Sequence, residues 1–309
     1  MPTVRYGTIA CELHENESAL DALLRSGAPV SYSCKTGTCG SCMLRAIEGG
    51  VPARAQAGLK DSWKERAYFL ACVCHPQDDL TAAPVEADAQ VSACITEISP
   101  LSADVLRVRL TCEAPFEFRA GQYLSLVRPD GLARSYSIAS LPGEDIELHI
   151  RCLPNGRMSE WVRTTARVGD TVRLLGPNGE CFYATGRPDQ PLLLIGTGTG
   201  LAPLYGIVRD ALRLGHTGLI HLVHGAVRAE GLYLRQELSA LGVNVNYIPT
   251  LLEADGPIDQ VVLQRFPKPA GYRAFLCGDP TIVQSLKKKL FLQGMHLRDI
   301  HADAFLPAA

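Results

Sequence analysis

Residues 33–42 read SCKTGTCGSC, and two more cysteines follow in LACVC at 70–74. Three of these thiols, Cys34, Cys39 and Cys42, keep a C-x4-C-x2-C spacing on a loop interrupted by Gly37 and Gly40. A missing side chain lets the loop turn tightly and lets backbone N–H groups approach sulfur. Cys11, Cys34, Cys39, Cys42, Cys72 and Cys74 all fall in the first quarter of the chain, so an N-terminal module with its own chemistry is expected. Ahead of the loop, NESALDALLRSG at 16–27 puts Leu20, Leu23 and Leu24 on one helical face, with Gly27 as a left-handed stop.

Three cysteines so spaced, with a fourth downstream, form the plant-type ferredoxin arrangement, in which four thiolates hold two irons. A zinc site is the rival, but zinc favours paired C-x2-C spacings and only one pair here is so spaced. The spacing leaves the fourth ligand open between Cys72 and Cys74.

At 309 residues, 47% of them hydrophobic, the chain exceeds what one core organises, and two or three domains are expected. Charged residues are 20% and the formal net charge is -2, which gives no basic surface for nucleic acid. No stretch approaches the roughly 18–20 apolar residues of a membrane helix. The opening lacks the pattern of a secretory signal, so a cytoplasmic location is expected. Eleven cysteines, an odd number in a chain of this length, fit reduced thiols and metal ligation better than a disulfide framework.

The acidic, Pro-containing DDLTAAPVEADAQ at 78–90 reads as a connection, which places the first boundary near residue 88. From 89 to 186, short strands such as VLRVRLTC, QYLSLVRP, ARSYSIAS, DIELHIRC and TVRLLGP suggest a small antiparallel β-barrel. From 187 to 309, the runs PLLLIG, GLIHLVHG, VNVNYIPT and RAFLCG alternate with helical stretches, which implies βαβ units and a parallel sheet.

Several constellations carry chemistry. Arg134-Ser135-Tyr136-Ser137 lies on an expected strand, where Arg can pair with a diphosphate, Tyr can lie against a flavin and Ser can donate to it. An exposed strand without a role is the alternative. Gly156, Arg157, Met158 and Ser159 stand at an expected helix start, where free N–H groups attract phosphate. In LLLIGTGTGLAP, Gly196, Thr197, Gly198, Thr199 and Gly200 join a strand to a helix. This is not the G-x-G-x-x-G fingerprint, yet the glycines equally allow backbone to approach a phosphate-bearing ligand. Cys277, Gly278, Asp279 and Pro280 repeat that logic at a second strand end, so both could border one crevice.

Across essentially all 309 residues, these motifs resemble the three-module NADH reductases of bacterial ring-hydroxylating dioxygenases and soluble multicomponent monooxygenases. The rear modules are similar to ferredoxin-NADP⁺ reductase. The resemblance implies a plant-type ferredoxin β-grasp domain (1–88), a six-stranded antiparallel FAD barrel (89–186) and a doubly wound parallel-sheet NAD(P)H domain (187–309). It selects Cys72 as fourth ligand of a [2Fe–2S] cluster, because the interval after Cys42 matches. It assigns Arg134, Tyr136 and Ser137 to FAD, sets His149, Ile150 and Arg151 along the flavin, and brings Gly156 to Ser159 to the pyrophosphate. His149 as an ordinary strand histidine is the rival reading.

By the same resemblance Cys277 sits beside the nicotinamide as a packing and positioning residue, and Phe305 in HADAFLPAA covers the flavin ring. Apolar capping of a last strand would explain Phe305 equally. Arg228 and Glu230 both follow the second strand of the last module, and family habit favours NADH over NADPH. The implied route is hydride from NADH to FAD, then single electrons through the cluster to an oxygenase or a separate ferredoxin. A non-enzymatic iron–sulfur sensor and a stand-alone reductase of a small molecule are the alternatives. A flavin-free preparation would mark the first; cytochrome c reduction without the cluster cysteines would mark the second.

Overall fold

The computed structural model describes residues 1–86 and 89–306 and arranges them around three sheets. The boundary expected at residue 88 lies outside the described residues. In the N-terminal sheet, β1 (Thr3–Tyr6) and β2 (Ile9–Glu12) form a hairpin, and α1 (Ala19–Arg25) follows. Ser18 Oγ accepts from the Asp21 backbone N–H at 3.1 Å and caps the helix, and Gly27 (φ 79°) ends it. Leu20 and Leu23 are fully buried, while Leu24 is half-buried at the edge of the same core. After the cysteine loop come β3 (Met43–Glu48), α2 (Asp61–Glu65), β4 (Tyr68–Leu70) and β5 (Leu80–Ala83). The strand order is β2-β1-β5-β3-β4, with β1 and β5 parallel.

The middle sheet is antiparallel. Its strands are β6 (Val91–Pro100), β7 (Val105–Cys112), β8 (Tyr123–Val127), β9 (Ala133–Ser137), β10 (Ile146–Arg151) and β11 (Thr171–Asn178), ordered β10-β7-β6-β11-β8-β9. Its two edges come back together where Ile138 bridges Leu148 and Ala139 N–H donates to Glu147 O at 2.8 Å. That closure covers strand edges that would otherwise template unwanted pairing. Helix α3 (Arg157–Thr164) sends Met158 and Val162 into the core of this sheet.

The last sheet is wholly parallel: β12 (Leu192–Thr197), β13 (Ile220–Ala226), β14 (Val245–Leu251), β15 (Arg273–Gly278) and β16 (Ile300–Ala304), ordered β14-β13-β12-β15-β16. Helix α4 (Leu201–Arg213) connects β12 to β13 and α5 (Arg235–Ser239) connects β13 to β14. Helices α6 (Leu252–Asp255) and α7 (Ile258–Arg265) precede β15, and α8 (Pro280–Leu292) precedes β16. Two apolar clusters, one about Leu194, Leu222 and Phe275 and one about Leu193, Val223 and Leu276, fill opposite faces of this sheet. Both faces are covered, as the near-continuous apolar strands require. The order reverses between β12 and β15, so the crevice beyond their C-terminal ends is the place where such a sheet binds ligands. No described helix is long and apolar enough to cross a membrane.

One buried polar network ties the middle sheet to the last. Glu147, 5% exposed, faces Arg107 at 3.2 Å, Arg109 at 3.0 Å and His149 Nε2 at 2.9 Å. His149 Nδ1 meets the Tyr233 hydroxyl at 3.1 Å, so a neutral imidazole with its proton on Nε2 satisfies both partners. Burial alone would raise the Glu147 pKa, but the His149 hydrogen bond and the two guanidiniums outweigh it and hold the carboxyl at about 2. A folded-state pKa below the unfolded value contributes stability that is present above about pH 4.5 and is lost as pH falls toward 2. Glu147→Gln should therefore lower stability at pH 7 by about 2 kcal/mol in denaturant titrations, with the gap closing progressively below pH 4.5.

Candidate functional site

A cavity of about 1330 Å³ opens where the three sheets meet. Its wall takes residues from the cysteine loop (Thr38, Cys39), from β9, from the start of α3, and from the strand ends of the last sheet.

The cysteine loop comes first. Lys35 (φ 53°), Gly37 (φ 77°) and Gly40 (φ 77°) adopt the left-handed backbone the tight turns need. The thiols stand in two pairs: Cys34 within interaction range of Cys39, and Cys42 within range of Cys72. Backbone N–H groups of Thr36 and Cys39 point at Cys34 Sγ at 3.4 and 3.5 Å, and the Gly37 N–H points at Cys72. Cys74 is buried away from this group, and its thiol is pushed up to about 12 by burial alone. Two pairs of thiols with N–H donors at sulfur fit a two-iron cluster, which takes two thiolates per iron. Among the described residues no three His, Cys, Asp or Glu side chains converge on a single ion.

The loop is fastened to the middle sheet. Ala133 N–H donates to Ser31 Oγ at 2.9 Å, Arg134 Nη1 to Tyr32 O at 2.7 Å, and the Tyr123 hydroxyl to Thr38 O at 2.8 Å. These contacts set Cys39 on the cavity wall beside Ser135, Tyr136 and Ser137.

On the cavity wall the N-terminal end of α3 presents Gly156 and Arg157. Arg134 feels the like charge of Arg157; burial and that repulsion hold its pKa below the usual guanidinium value. Two guanidiniums that repel each other at a cavity wall, beside a helix N-terminus, fit a diphosphate. Ser159 lines the cavity as well, and its hydroxyl, which donates to Gly156 O at 3.1 Å and accepts from Leu153 N–H at 3.2 Å, shapes the turn. Met158 lines the cavity but sits mainly in the core. Arg151 lines the rim and pairs with Asp104 at 3.2 Å. Ile150, expected along the flavin, is wholly buried in the barrel and is absent from the cavity wall, because alternate residues of β10 face opposite sides. His149 reaches the wall, but its ring nitrogens are committed to Glu147 and Tyr233.

The strand ends of the last sheet supply the remaining wall. Thr197, Gly198 and Thr199 line it as β12 passes into α4, and Gly278, Asp279 and Pro280 line it after β15. Gly196 and Gly200 lie beneath: a Cβ on Gly200 would collide with the Cys277 carbonyl, and one on Gly196 would come within 2.7 Å of Leu204. Cys277 is buried, 3.7 Å from Cys181 through sulfur, with burial pushing its thiol well up, so it is a packing group rather than a nucleophile. Asp279 caps α8 through the Thr281 and Ile282 N–H groups at 2.9 and 3.2 Å. The Thr250 hydroxyl, buried at the cavity and without a protein partner among the described residues, is a donor for a polar ligand. Phe305 N–H donates to Gly278 O at 2.8 Å, which holds its half-buried ring at the cavity. At the outer end Arg228 is paired with Glu253 at 2.7 Å.

Asp303 was not foreseen from the sequence. It lies opposite Cys277 in the β15–β16 register and lines the cavity. Its carboxylate accepts from Ser137 Oγ at 3.5 Å, and burial drives its pKa up to about 6 despite that contact. Only its place one residue before the end of the last strand could have signalled it.

Compared with known proteins, residues 4–77 match a 2Fe-2S iron-sulfur cluster binding domain, 92–183 an oxidoreductase FAD-binding domain and 194–288 an oxidoreductase NAD-binding domain. The reductase component of the naphthalene 1,2-dioxygenase/salicylate 5-hydroxylase systems of Ralstonia sp. is 34% identical over 307 residues, covering 94% of this chain and 93% of the relative. The chain belongs to the family of ferredoxin–NAD(P)⁺ reductase components. The phenol hydroxylase P5 protein of Acinetobacter pittii is similar at 33% identity over 96% of this chain and 92% of its own. The solved structure of the Amycolatopsis cytochrome P450 reductase GcoB superposes with a TM-score of 0.70 at 30% identity, covering 100% of both chains. As a member, this protein is an oxidoreductase that moves electrons from NADH by way of FAD to a [2Fe–2S] cluster.

Two outcomes follow from this geometry. Cys72→Ser should abolish the cluster's visible absorbance in the purified protein, whereas Cys74→Ser should keep it. Asp303 has a folded-state pKa above its unfolded value, so stability is lost as pH rises from about 4 through 6. In flavin-free protein, Asp303→Asn should be the more stable form at pH 8 by about 2 kcal/mol, and the two should converge near pH 4 in thermal scans.

Proposed function

We propose that this chain is the reductase of an oxygenase system, passing electrons to an oxygenase component or a separate ferredoxin in the cytoplasm. The observation that carries this reading is the shared cavity, which brings Cys39, the β9 strand and the glycine ends of the parallel sheet to one space. The relatives named as components of naphthalene dioxygenase and phenol hydroxylase systems support an acceptor that works on aromatic compounds. Eleven free thiols suit a reducing compartment.

The division we propose is a cluster module over 1–88, a flavin module over 89–186 and a nicotinamide module over 187–309. When bound, FAD accepts an electron pair from NADH and the cluster carries one electron at a time. Cys34, Cys39, Cys42 and Cys72 hold the cluster. Arg134, Gly156 and Arg157 bind the diphosphate; Tyr136 and Ser137 orient the ring system. Gly198 to Gly200 and Gly278 to Pro280 admit the nicotinamide, and Phe305 excludes water from that face until it arrives. The Glu253 carboxylate neutralises Arg228, which would otherwise attract a 2′-phosphate, and this favours NADH over NADPH.

The test is a visible spectrum of purified protein before and after anaerobic NADH. Flavin and cluster bands should both be present, and both should bleach. A colourless protein that reconstitution with FAD, iron and sulfide cannot restore would overturn the reading.

A further inference from the structure

The cluster loop and the flavin-facing strand meet at one atom. The Cys39 carbonyl accepts from Ser135 Oγ at 2.8 Å and from Ser125 Oγ at 3.3 Å, two hydroxyls 3.4 Å apart that lie directly opposite each other in the β8–β9 register. A carbonyl oxygen offers two lone pairs, and here both are taken by residues of a different sheet. Ser135 reaches the cavity, but Ser125 is wholly buried and does not line it. Hydroxyls buried in this way persist only where a partner is supplied, so the seat for Cys39 is built into the middle sheet. Gly40, next along the loop, packs close to the same seat, where a Cβ would meet Asn178 and Ser125 at ordinary contact distances of 3.7 and 3.9 Å, and its left-handed backbone (φ 77°) turns the loop there.

We propose that Ser125 and Ser135 are positioning residues for electron passage between flavin and cluster, clamping the Cys39 peptide, and with it the Cys39 thiolate, at a fixed place on the cavity wall. The proposal rests on the assignment of the cavity to FAD and of Cys39 to the cluster. Each event moves one electron: the flavin is oxidised by one, the cluster is reduced by one, and no bond in the protein forms or breaks. The second electron follows once the cluster has delivered the first. Electron transfer weakens steeply with distance, so a loosened clamp slows this event. Flavin reduction by NADH takes place at the wall formed by the last sheet, away from the clamp, and is spared.

The experiment is rapid mixing of the holoenzyme with NADH under anaerobic conditions, following flavin bleaching and the paramagnetic signal of the reduced cluster separately. S125A changes a side chain off the cavity. It should bleach its flavin at the wild-type rate and reduce its cluster several-fold more slowly, while S125T, which restores a hydroxyl, should recover the rate. In S125A/S135A the slowing should reach the order of tenfold or more, as small misplacements of reacting centres commonly cost. A purely structural defect would instead lower cofactor content or slow both phases together. Cluster reduction at the wild-type rate in S125A, or in the double variant where it folds, overturns the clamp alone. A wild type whose cluster stays oxidised after its flavin has bleached overturns the clamp together with the reading beneath it.

Discussion

The backbone and side chains of β9 hold three modules in one register. Ala133 and Arg134 bond to the loop at Ser31 and Tyr32, Ser135 bonds to the carbonyl of Cys39, and Ser137 meets Asp303 of the last strand. A strand alternates its side chains between faces, so five consecutive residues can serve a loop, a cavity and a distant sheet without a turn. Displace β9 and the cluster loop, Arg134 and the crevice of the parallel sheet all lose their common reference.

Two carboxylates show how position decides charge. Glu147 is buried and Asp303 is partly buried at the cavity wall, yet one is held near pKa 2 and the other is driven to about 6. The difference is company: Glu147 has two guanidiniums and an imidazole N–H, whereas Asp303 has one distant hydroxyl. Desolvation acts on both, and only opposite charge or strong hydrogen bonding offsets it. The first group fastens one module to another; the second exchanges its proton about two pH units above an ordinary Asp.

Much of this was legible in the residues themselves. The cysteine spacing with Gly37 and Gly40 gives a loop, short alternating strands give an antiparallel sheet, and apolar runs before glycine turns give the parallel one. What stayed hidden was side-chain partnership across long sequence separations. His149 read as a flavin neighbour because nothing in its own segment announces Tyr233, 84 residues away. Ser135 likewise read as a flavin donor, although its hydroxyl goes to Cys39, 96 residues earlier. Spacing alone could not separate Cys72 from Cys74; the nearness of Cys42 to Cys72 in three dimensions supports the choice of Cys72 that we propose.

Where β12 and β15 end, the contact between Gly200 and the Cys277 carbonyl leaves a crevice floor made of peptide groups, with no rotamer to change its shape. Under the nicotinamide assignment we propose, such a floor would meet what is common to all dinucleotides, and donor preference would fall to the rim, where Arg228 and Glu253 stand in solvent. A lineage can retune the rim by ordinary substitution, while the floor tolerates no added carbon at Gly200.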